Sequence, residues 1–364
     1  MIHTRYRSNR QRIAFVDPCS ADGYDLPDIA RGGLGGTEAT VLRVAAALRQ
    51  DFDVTLYQNN RAGRFWSEAG DLQPLEQVYR TAAGSLGTIV VINRWKVALK
   101  LRKLHPDAAI YLWMHIYPGR HNRKMGAALA AAGITVIAVS QTHANALTTF
   151  MGEVSRASET PPVKVIYNPL ADDLRPDSTP RDPNRLLFAS SPHKGLAEVF
   201  EQFRTLRACI PELTLAVADP GYLRWATGPV PEGVIFLGSL SHPALIRQLR
   251  RSLCLFYPQT TFAETFGLVL AEANAVGTPA LAHAGLGAND EVLCDTDQRI
   301  DAHDPAQIAA RIQAWRRNPP RVTANPGFRL SAVARNWTRL LGDAVQPAQQ
   351  QATLQEPETS EVAP

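Results

Sequence analysis

Short apolar runs alternate with longer amphipathic stretches along most of the chain. The runs have the length of buried parallel strands, and the stretches between them have the spacing of helices. In the first half this pattern predicts strands at 13–16, 54–57, 88–92, 109–113, 135–139 and 164–166. It predicts helices between them at 37–49, 95–104, 123–132 and 141–150. A strand-helix alternation of this kind indicates a parallel sheet covered on both faces.

The alternation of strands and helices is interrupted at 168–184, a segment that is rich in Pro and Asp and is typical of a linker. It then resumes, with strands predicted at 185–189, 213–217, 234–237, 253–257 and 279–282 and helices at 196–209, 243–251, 266–276 and 305–317. We therefore expect two α/β, Rossmann-like, doubly wound domains, 1–170 and 171–328, with a cleft between them where a small ligand would bind.

A last helix is predicted at 329–342, where Leu330, Val333, Trp337 and Leu341 recur at helical spacing. It either returns to the first domain or lies as an ordinary amphipathic helix on the second. Residues 343–364 contain mainly Gln, Pro, Ala and Glu, so we expect a disordered tail.

Composition agrees with a two-domain protein, because 364 residues with 45% apolar side chains exceed the usual size of one domain. The net charge of +4 is uneven: residues 1–170 carry 20 Lys and Arg against 13 Asp and Glu, and the remainder is net acidic. A basic first half favours an anionic partner. The chain lacks a recognised nucleic-acid module, so we expect no nucleic acid partner.

Other classes of protein fit the composition poorly. The sequence has no apolar run long enough for a membrane span or a signal peptide, and its four cysteines are far apart, so a reducing, cytoplasmic setting is expected. Cys209 and Cys254 lie in apolar runs and are predicted to be buried. The histidines lack metal-ligand spacing, so we expect no metal and no cofactor.

Two carboxylates carry the most informative chemistry. Glu264 follows the strand predicted at 253–257, and Glu272 lies in the helix after it. Ligands of open α/β sheets bind at the carboxyl ends of strands, and the amides of Phe266, Gly267 and Leu268 would favour an anion at the start of that helix. Two acceptors for hydroxyls beside an anion site indicate a nucleotide-sugar site. The competing interpretation is an unremarkable loop carboxylate and surface carboxylate.

Further candidates follow other predicted strands. They are the glycine loop with Gly35 and Gly36, His115 after the strand at 109–113, the segment Ser190, Ser191 and Lys194, and Gly238. Each has a structural alternative: a helix cap, a hydrogen-bonded loop histidine or a solvated lysine. The glycine loop misses the dinucleotide fingerprint, since Glu38 stands where its third glycine would be, and it lacks the lysine of a phosphate-binding P-loop.

The segment Pro258…Glu264-Thr265-Phe266-Gly267…Glu272-Ala273…Gly277-Thr278-Pro279 resembles the signature of glycosyltransferase family 4, retaining enzymes of the GT-B fold. The resemblance covers roughly residues 12–341. It implies that Glu264 holds the donor sugar, Glu272 the ribose, and Lys194 with the amides at 266–268 the diphosphate. It further implies donor contacts at Ser190, Ser191 and Gly238, an acceptor and phosphate loop at Gly35 and Gly36, and His115 beside the transferred sugar. One departure stands out: Ala189 replaces an Arg that family members usually carry.

The resemblance thus implies a hexosyltransferase that uses a nucleotide-sugar donor and a glycan or lipid-linked acceptor in cell-envelope polysaccharide synthesis. Residues 95–104 carry four cations, which leaves open peripheral contact with an anionic membrane against an ordinary core-packed helix. Three rivals remain: a nucleotide-sugar 2-epimerase of the same fold, a NAD-dependent oxidoreductase and a non-catalytic nucleotide-sugar-binding protein.

Overall fold

The computed structural model describes residues 10–32, 34–154, 159–219, 221 and 226–343. The first part of the chain forms an eight-stranded sheet. Its strands are β1 Arg12–Asp17, β2 Asp53–Gln58, β3 Phe65–Ser67, β4 Gly70–Pro74, β5 Thr88–Ile92, β6 Ala109–Trp113, β7 Thr135–Ala138 and β8 Val163–Val165. They are ordered β3-β4-β2-β1-β5-β6-β7-β8, and all pairs are parallel except β3 with β4. The predicted parallel sheet is present, with one added edge hairpin.

Helices cover both faces of this sheet. They are α1 Leu26–Arg31, α2 Gly36–Leu48, α3 Trp95–Leu104, α4 Met125–Ala131 and α5 Gln141–Thr149. The pattern did not predict α1, or the hairpin of β3 and β4. The hairpin strands are short, and Phe65 and Trp66 are exposed, so the segment lacks the apolar alternation by which a strand is recognised.

A second, six-stranded sheet is formed by β9 Asp182–Ala189, β10 Thr214–Ala218, β11 Val234–Gly238, β12 Ser252–Tyr257, β13 Ala280–His283 and β14 Arg299–Ile300. Its order is β11-β10-β9-β12-β13-β14, with every pair parallel. Its helices are α6 Leu196–Cys209, α7 His242–Arg251, α8 Leu268–Ala275, α9 Asn289–Val292 and α10 Pro305–Arg317. The two Rossmann-like units confirm the predicted fold class.

The final helix, α11 Leu330–Asp343, packs on the first sheet although it follows the second in sequence. Its buried Trp337 lies edge-on to Trp113 of β6, with ring centroids 4.7 Å apart, and 6.1 Å from the ring of Phe15 of β1. Of the two places open to this helix, the chain therefore uses the first domain. The tail predicted to be disordered, 343–364, lies outside the described residues beyond Asp343.

Two further expectations concern the burial of two cysteines and the surface of helix α3. Cys254 is buried in β12, but the prediction that Cys209 is buried was wrong, because the end of α6 leaves it exposed. In α3 the buried residues are Ala98 and Leu101, while the guanidinium of Arg102 donates to the carbonyl oxygens of Pro106, Ala108 and Ala132. Among the described helices, not one is long and apolar enough to cross a bilayer.

Candidate active site between the two sheets

The candidate residues meet at the topological switch points of the two sheets, where the connections from neighbouring strands lead to opposite sides of the sheet. In the second sheet the chain moves outward from β9 on one side through β10 and on the other through β12, so the loops after β9 and β12 diverge there. Such switch points open a crevice at the carboxyl ends of the strands. Lys194 follows β9 and Glu264 follows β12, which brings together two residues 70 positions apart in sequence.

Glu264 and Lys194 form the centre of the site. The ammonium of Lys194 lies 2.9 Å from Oε1 and 3.1 Å from Oε2 of a carboxylate that is only 7% exposed. The hydroxyl of Tyr257 donates to Oε1 at 3.1 Å. Burial, followed by the charge of Glu264, raises the pKa of Tyr257 well above its usual value, so it stays a donor. The carboxylate is thus oriented by two donors from its own domain.

Glu272 is held differently, by partners that the sequence motifs did not indicate. It lies in α8 and is 5% exposed; His242 Nε2 is 2.7 Å from its Oε1, and Arg43 of α2 is 3.9 Å from the same atom. Burial alone would raise its pKa. The hydrogen bond from His242 and the electrostatic contributions of His242 and Arg43 outweigh burial and leave the pKa of Glu272 below its usual value. Neither partner lies in a recognisable pattern, so only the fold could have identified them.

The start of α8 offers unpaired donors beside these carboxylates. Gly267 caps the helix in the left-handed region with φ 86°, which a side chain would strain. Within the described chain, the amides of Phe266, Gly267 and Leu268 donate to no acceptor. Orphan amides at a helix N-terminus attract an anion. The Phe266 side chain does not face the site, because it packs edge-on to Phe328 at 4.9 Å.

The remaining donor-site candidates frame the same edge of the second sheet. Ser191 is buried and its hydroxyl lies 2.9 Å from His193 Nδ1, and Ser190 is hydrogen-bonded to Tyr257. Gly238 ends β11 with φ 67°, and a side chain there would meet open space. The serines therefore support the loop around Lys194, while Gly238 borders free volume.

The glycine loop of the first domain lies directly against the second. A Cβ on Gly36 would come 3.0 Å from Cδ1 of Leu268, and one on Gly32 would come 2.6 Å from the carbonyl oxygen of Leu240. A Cβ on Gly35 would meet the carboxylate of Glu38. The glycines thus permit close approach between the start of α2 and the start of α8.

His115 lies at the carboxyl end of β6 and is held by its backbone. Its amide donates to Asn93 Oδ1 at 2.7 Å, and its carbonyl accepts from the Thr265 hydroxyl at 2.9 Å. The ring packs on Trp113 at 4.7 Å, and its buried Nε2 has no partner among the described residues. Burial, with repulsion from His143, lowers the pKa of His115 to about 3. The imidazole is therefore neutral at ordinary pH.

This low pKa predicts an acid-sensitive contribution to stability. The unfolded imidazole titrates near its usual pKa of 6.5 and the folded one near 3, so protonation favours the unfolded chain below about pH 6.5. The free energy of unfolding should fall by about 2 kcal/mol between pH 7 and pH 5 because of this group alone. Denaturant titrations of wild type and His115→Gln at both pH values test this. An equal loss in both proteins would contradict it.

Several hydrogen bonds join the two domains around the Glu264 loop. The Ser140 hydroxyl donates to the carbonyl oxygen of Thr265 at 2.6 Å, and that of Tyr117 to the carbonyl oxygen of Glu264 at 3.3 Å. The carboxylate of Glu291 accepts from the amides of Gln141 and Thr142, each at 2.8 Å, and so caps α5 of the other domain. The structure thus places the first domain against the loop that carries Glu264.

Two other features lie apart from this site. His283, Asp301 and His303 offer ligand atoms within 4.8 Å of one another, but Nδ1 of His283 accepts the amide of Ala302 at 3.0 Å. The expectation that the protein needs no metal or cofactor stays a prediction.

A cavity of about 790 Å³ opens at the amino ends of β1 and β2, and no candidate residue lines it.

Comparison with known proteins agrees with this geometry. The family model described as Glycosyl transferases group 1 matches residues 174–326. D-inositol 3-phosphate glycosyltransferase 1 of Catenulispora acidiphila is 39% identical over 84 residues, which are 23% of this chain and 20% of that protein. Phosphatidyl-myo-inositol mannosyltransferase of Propionibacterium freudenreichii is 38% identical over 112 residues, 31% of this chain and 27% of that protein. These matches cover less than a third of either relative.

A solved structure extends the likeness to nearly the whole chain. The glycosyltransferase from Rickettsia africae superposes with a TM-score of 0.63 at 12% identity, covering 93% of this chain and all of that one. At this identity the superposition shows the fold alone. The residues matched by the family model include the motif of Glu264 and Glu272. The chain accordingly has the GT-B fold, and the match of its residues 174–326 to the group 1 model supports assignment to glycosyltransferase family 4.

Proposed function

We propose that this protein is a retaining hexosyltransferase, which moves a sugar from a nucleotide-sugar donor to a glycan or lipid-linked acceptor. The observation that carries the proposal is the pair of the half-buried Lys194 and the buried Glu264 at the switch point of the second sheet, beside amides at the start of α8 that have no acceptor among the described residues. A cation and free amides suit a diphosphate, and a fixed carboxylate suits sugar hydroxyls. A metal is not needed in this arrangement.

The proposed roles follow from these positions. Lys194 and the amides of 266–268 offset the negative charge that grows on the leaving diphosphate. Glu264 accepts hydrogen bonds from the donor sugar, and Glu272 from the ribose. The bond between the anomeric carbon and the phosphate oxygen breaks, and a bond from the same face to the acceptor oxygen forms. The acceptor proton passes to the leaving phosphate, so no protein carboxylate has to act as a nucleophile.

The first domain would bind the acceptor. Gly35 and Gly36 bring its backbone against α8, and the unpartnered Nε2 of His115 offers a neutral polar contact to the transferred sugar. The names of two relatives refer to inositol compounds, which supports a polyol or lipid-linked acceptor and a place in cell-envelope synthesis. The exposed cations of α3 would then serve peripheral contact with the anionic inner face of the cytoplasmic membrane.

A donor panel tests the proposal. Purified protein is incubated with UDP-, GDP- and ADP-sugars, with and without a lipid extract, and the products are identified by mass spectrometry and anomeric NMR. The expected result is acceptor-dependent release of one nucleoside diphosphate and a product of retained configuration. An isomerised nucleotide sugar without acceptor would instead identify a 2-epimerase. Saturable binding without turnover across the panel would identify a non-catalytic binding protein.

A further inference from the structure

We propose that Arg43 of the first domain and His242 of the second are positioning residues for the Glu272 carboxylate, so that the two domains together form the ribose site. This inference rests on the proposed function, because it takes Glu272 as the acceptor for the ribose hydroxyls. It adds that nucleotide recognition depends on a cation outside the 174–326 segment. Neither Arg43 nor His242 belongs to the motif that identifies the donor site.

The first observation is that both partners lie on the same oxygen. His242 Nε2 is 2.7 Å and Arg43 is 3.9 Å from Oε1 of Glu272. Within the described residues Oε2 has no hydrogen-bond partner, and it is not among the fully buried unpartnered atoms. One oxygen is therefore anchored, while the other remains available to a hydroxyl donor.

The distances also separate the roles of the two partners. At 2.7 Å from a carboxylate, His242 Nε2 must carry the proton and donate it. Arg43 lies 3.4 Å from that same nitrogen, and two N–H groups cannot hydrogen-bond to each other. Arg43 therefore acts through its charge, whereas His242 fixes the orientation of the carboxylate.

Burial makes the charge of Arg43 effective. The side chains of Arg43 and Glu272 are only 10% and 7% exposed, so water screens their attraction weakly. Arg43 projects from α2, the helix that begins at the glycine loop and contacts Leu268 through Gly36. Because α2 belongs to the other domain, this cation reaches Glu272 only while the domains are in contact. His242 and Glu272 belong to the same domain and remain paired in either case.

The test compares the affinities of ribose and 2′-deoxyribose nucleoside diphosphates by calorimetry. Both ligands carry the nucleobase of the nucleoside diphosphate that the wild-type protein releases in the donor panel. Losing a hydroxyl that donates to a carboxylate should weaken wild-type binding by about 10- to 100-fold. Arg43→Met and His242→Leu should each reduce this preference to less than about 3-fold, since a misplaced or weakly held acceptor gains little from the hydroxyl.

Conservative variants separate positioning from misfolding. Arg43→Lys retains the cation and His242→Gln retains a nearby N–H donor, so both should recover most of the preference for ribose. Arg49→Met, an exposed position just past the end of the same helix, is the matched control and should behave as wild type. In the Glu272→Gln background, Arg43→Met should cause no further loss, because the carboxylate through which it acts is gone.

The outcomes distinguish this inference from the proposed function. A wild-type protein that binds and prefers the ribose ligand, with the preference unchanged in folded Arg43→Met and His242→Leu, overturns the inference and leaves the function standing. Additive losses from Arg43→Met and Glu272→Gln overturn it as well. A wild-type protein that binds no nucleoside diphosphate overturns both.

Discussion

Lys194→Ala is expected to lower the rate of sugar transfer about 10²- to 10³-fold, the size of effect seen when one preorganised group that stabilises developing charge is removed. The physical reason is twofold. The ammonium at 2.9 Å from Glu264 is the cation nearest the proposed diphosphate position, and its removal leaves a carboxylate with 7% exposure facing the leaving group without a counter-charge. The loss should appear in kcat, because the compensated charge grows as the glycosidic bond breaks.

The measurement is steady-state transfer with the donor identified in the panel. Lys164→Ala, which removes an exposed lysine from β8, is the matched control and should retain full activity. Lys194→Arg keeps the positive charge and should recover part of the rate. Circular dichroism confirms that each variant is folded. A folded Lys194→Ala protein that transfers sugar at the wild-type rate would remove this residue from the catalytic site.

Trp337→Ala is expected to lower the free energy of unfolding by about 3–5 kcal/mol, the usual cost of truncating a fully buried tryptophan. Trp337 has no exposed surface and lies against Trp113 and Phe15 with ring centroids at 4.7 and 6.1 Å. Removing the indole would leave a cavity between α11 and the first sheet, and the helix that carries it comes from the far end of the chain. Urea denaturation followed by circular dichroism measures the loss.

Two companion variants make this result specific. Arg339→Ala alters an exposed residue of the same helix and should change stability by less than about 0.5 kcal/mol. Trp337→Phe keeps an aromatic ring and removes an indole N–H that is buried with no hydrogen-bond partner among the described residues, so it should cost much less than the alanine. If Trp337→Ala were no more destabilising than Arg339→Ala, α11 would contribute little to the first domain.

Local pattern predicted the parts of the fold that repeat. Strands such as β5 and β12 are continuously apolar because helices cover both faces, and that continuity is visible in sequence. The hairpin β3–β4 escaped prediction because both strands are short and the edge strand β3 leaves Phe65 and Trp66 exposed. The burial of Cys209 was also predicted wrongly, since an apolar neighbourhood in sequence does not specify which side of a helix faces water.

The site also contains residues that local pattern could predict and residues that it could not. Glu264, Lys194 and His115 could be proposed from sequence because each follows a strand, and the carboxyl ends of parallel strands define where ligands bind. Gly36 could be proposed because a glycine loop opens its helix. Arg43 and His242 could not, because an arginine inside one helix and a histidine at the start of another carry no spacing signal. Their importance arises from proximity to Glu272, which depends on how two domains pack.

By itself, the sequence determined the two α/β units and the segment proposed to bind the donor, because strand burial, helix periodicity and the glycine at 267 are local properties. The tertiary structure alone decided which groups pair: Lys194 with Glu264 across two loops, and Arg43 with Glu272 across two domains. It also placed α11 on the first sheet. Pairings of this kind depend on distances of a few ångströms between residues far apart in sequence, and no local pattern contains that information.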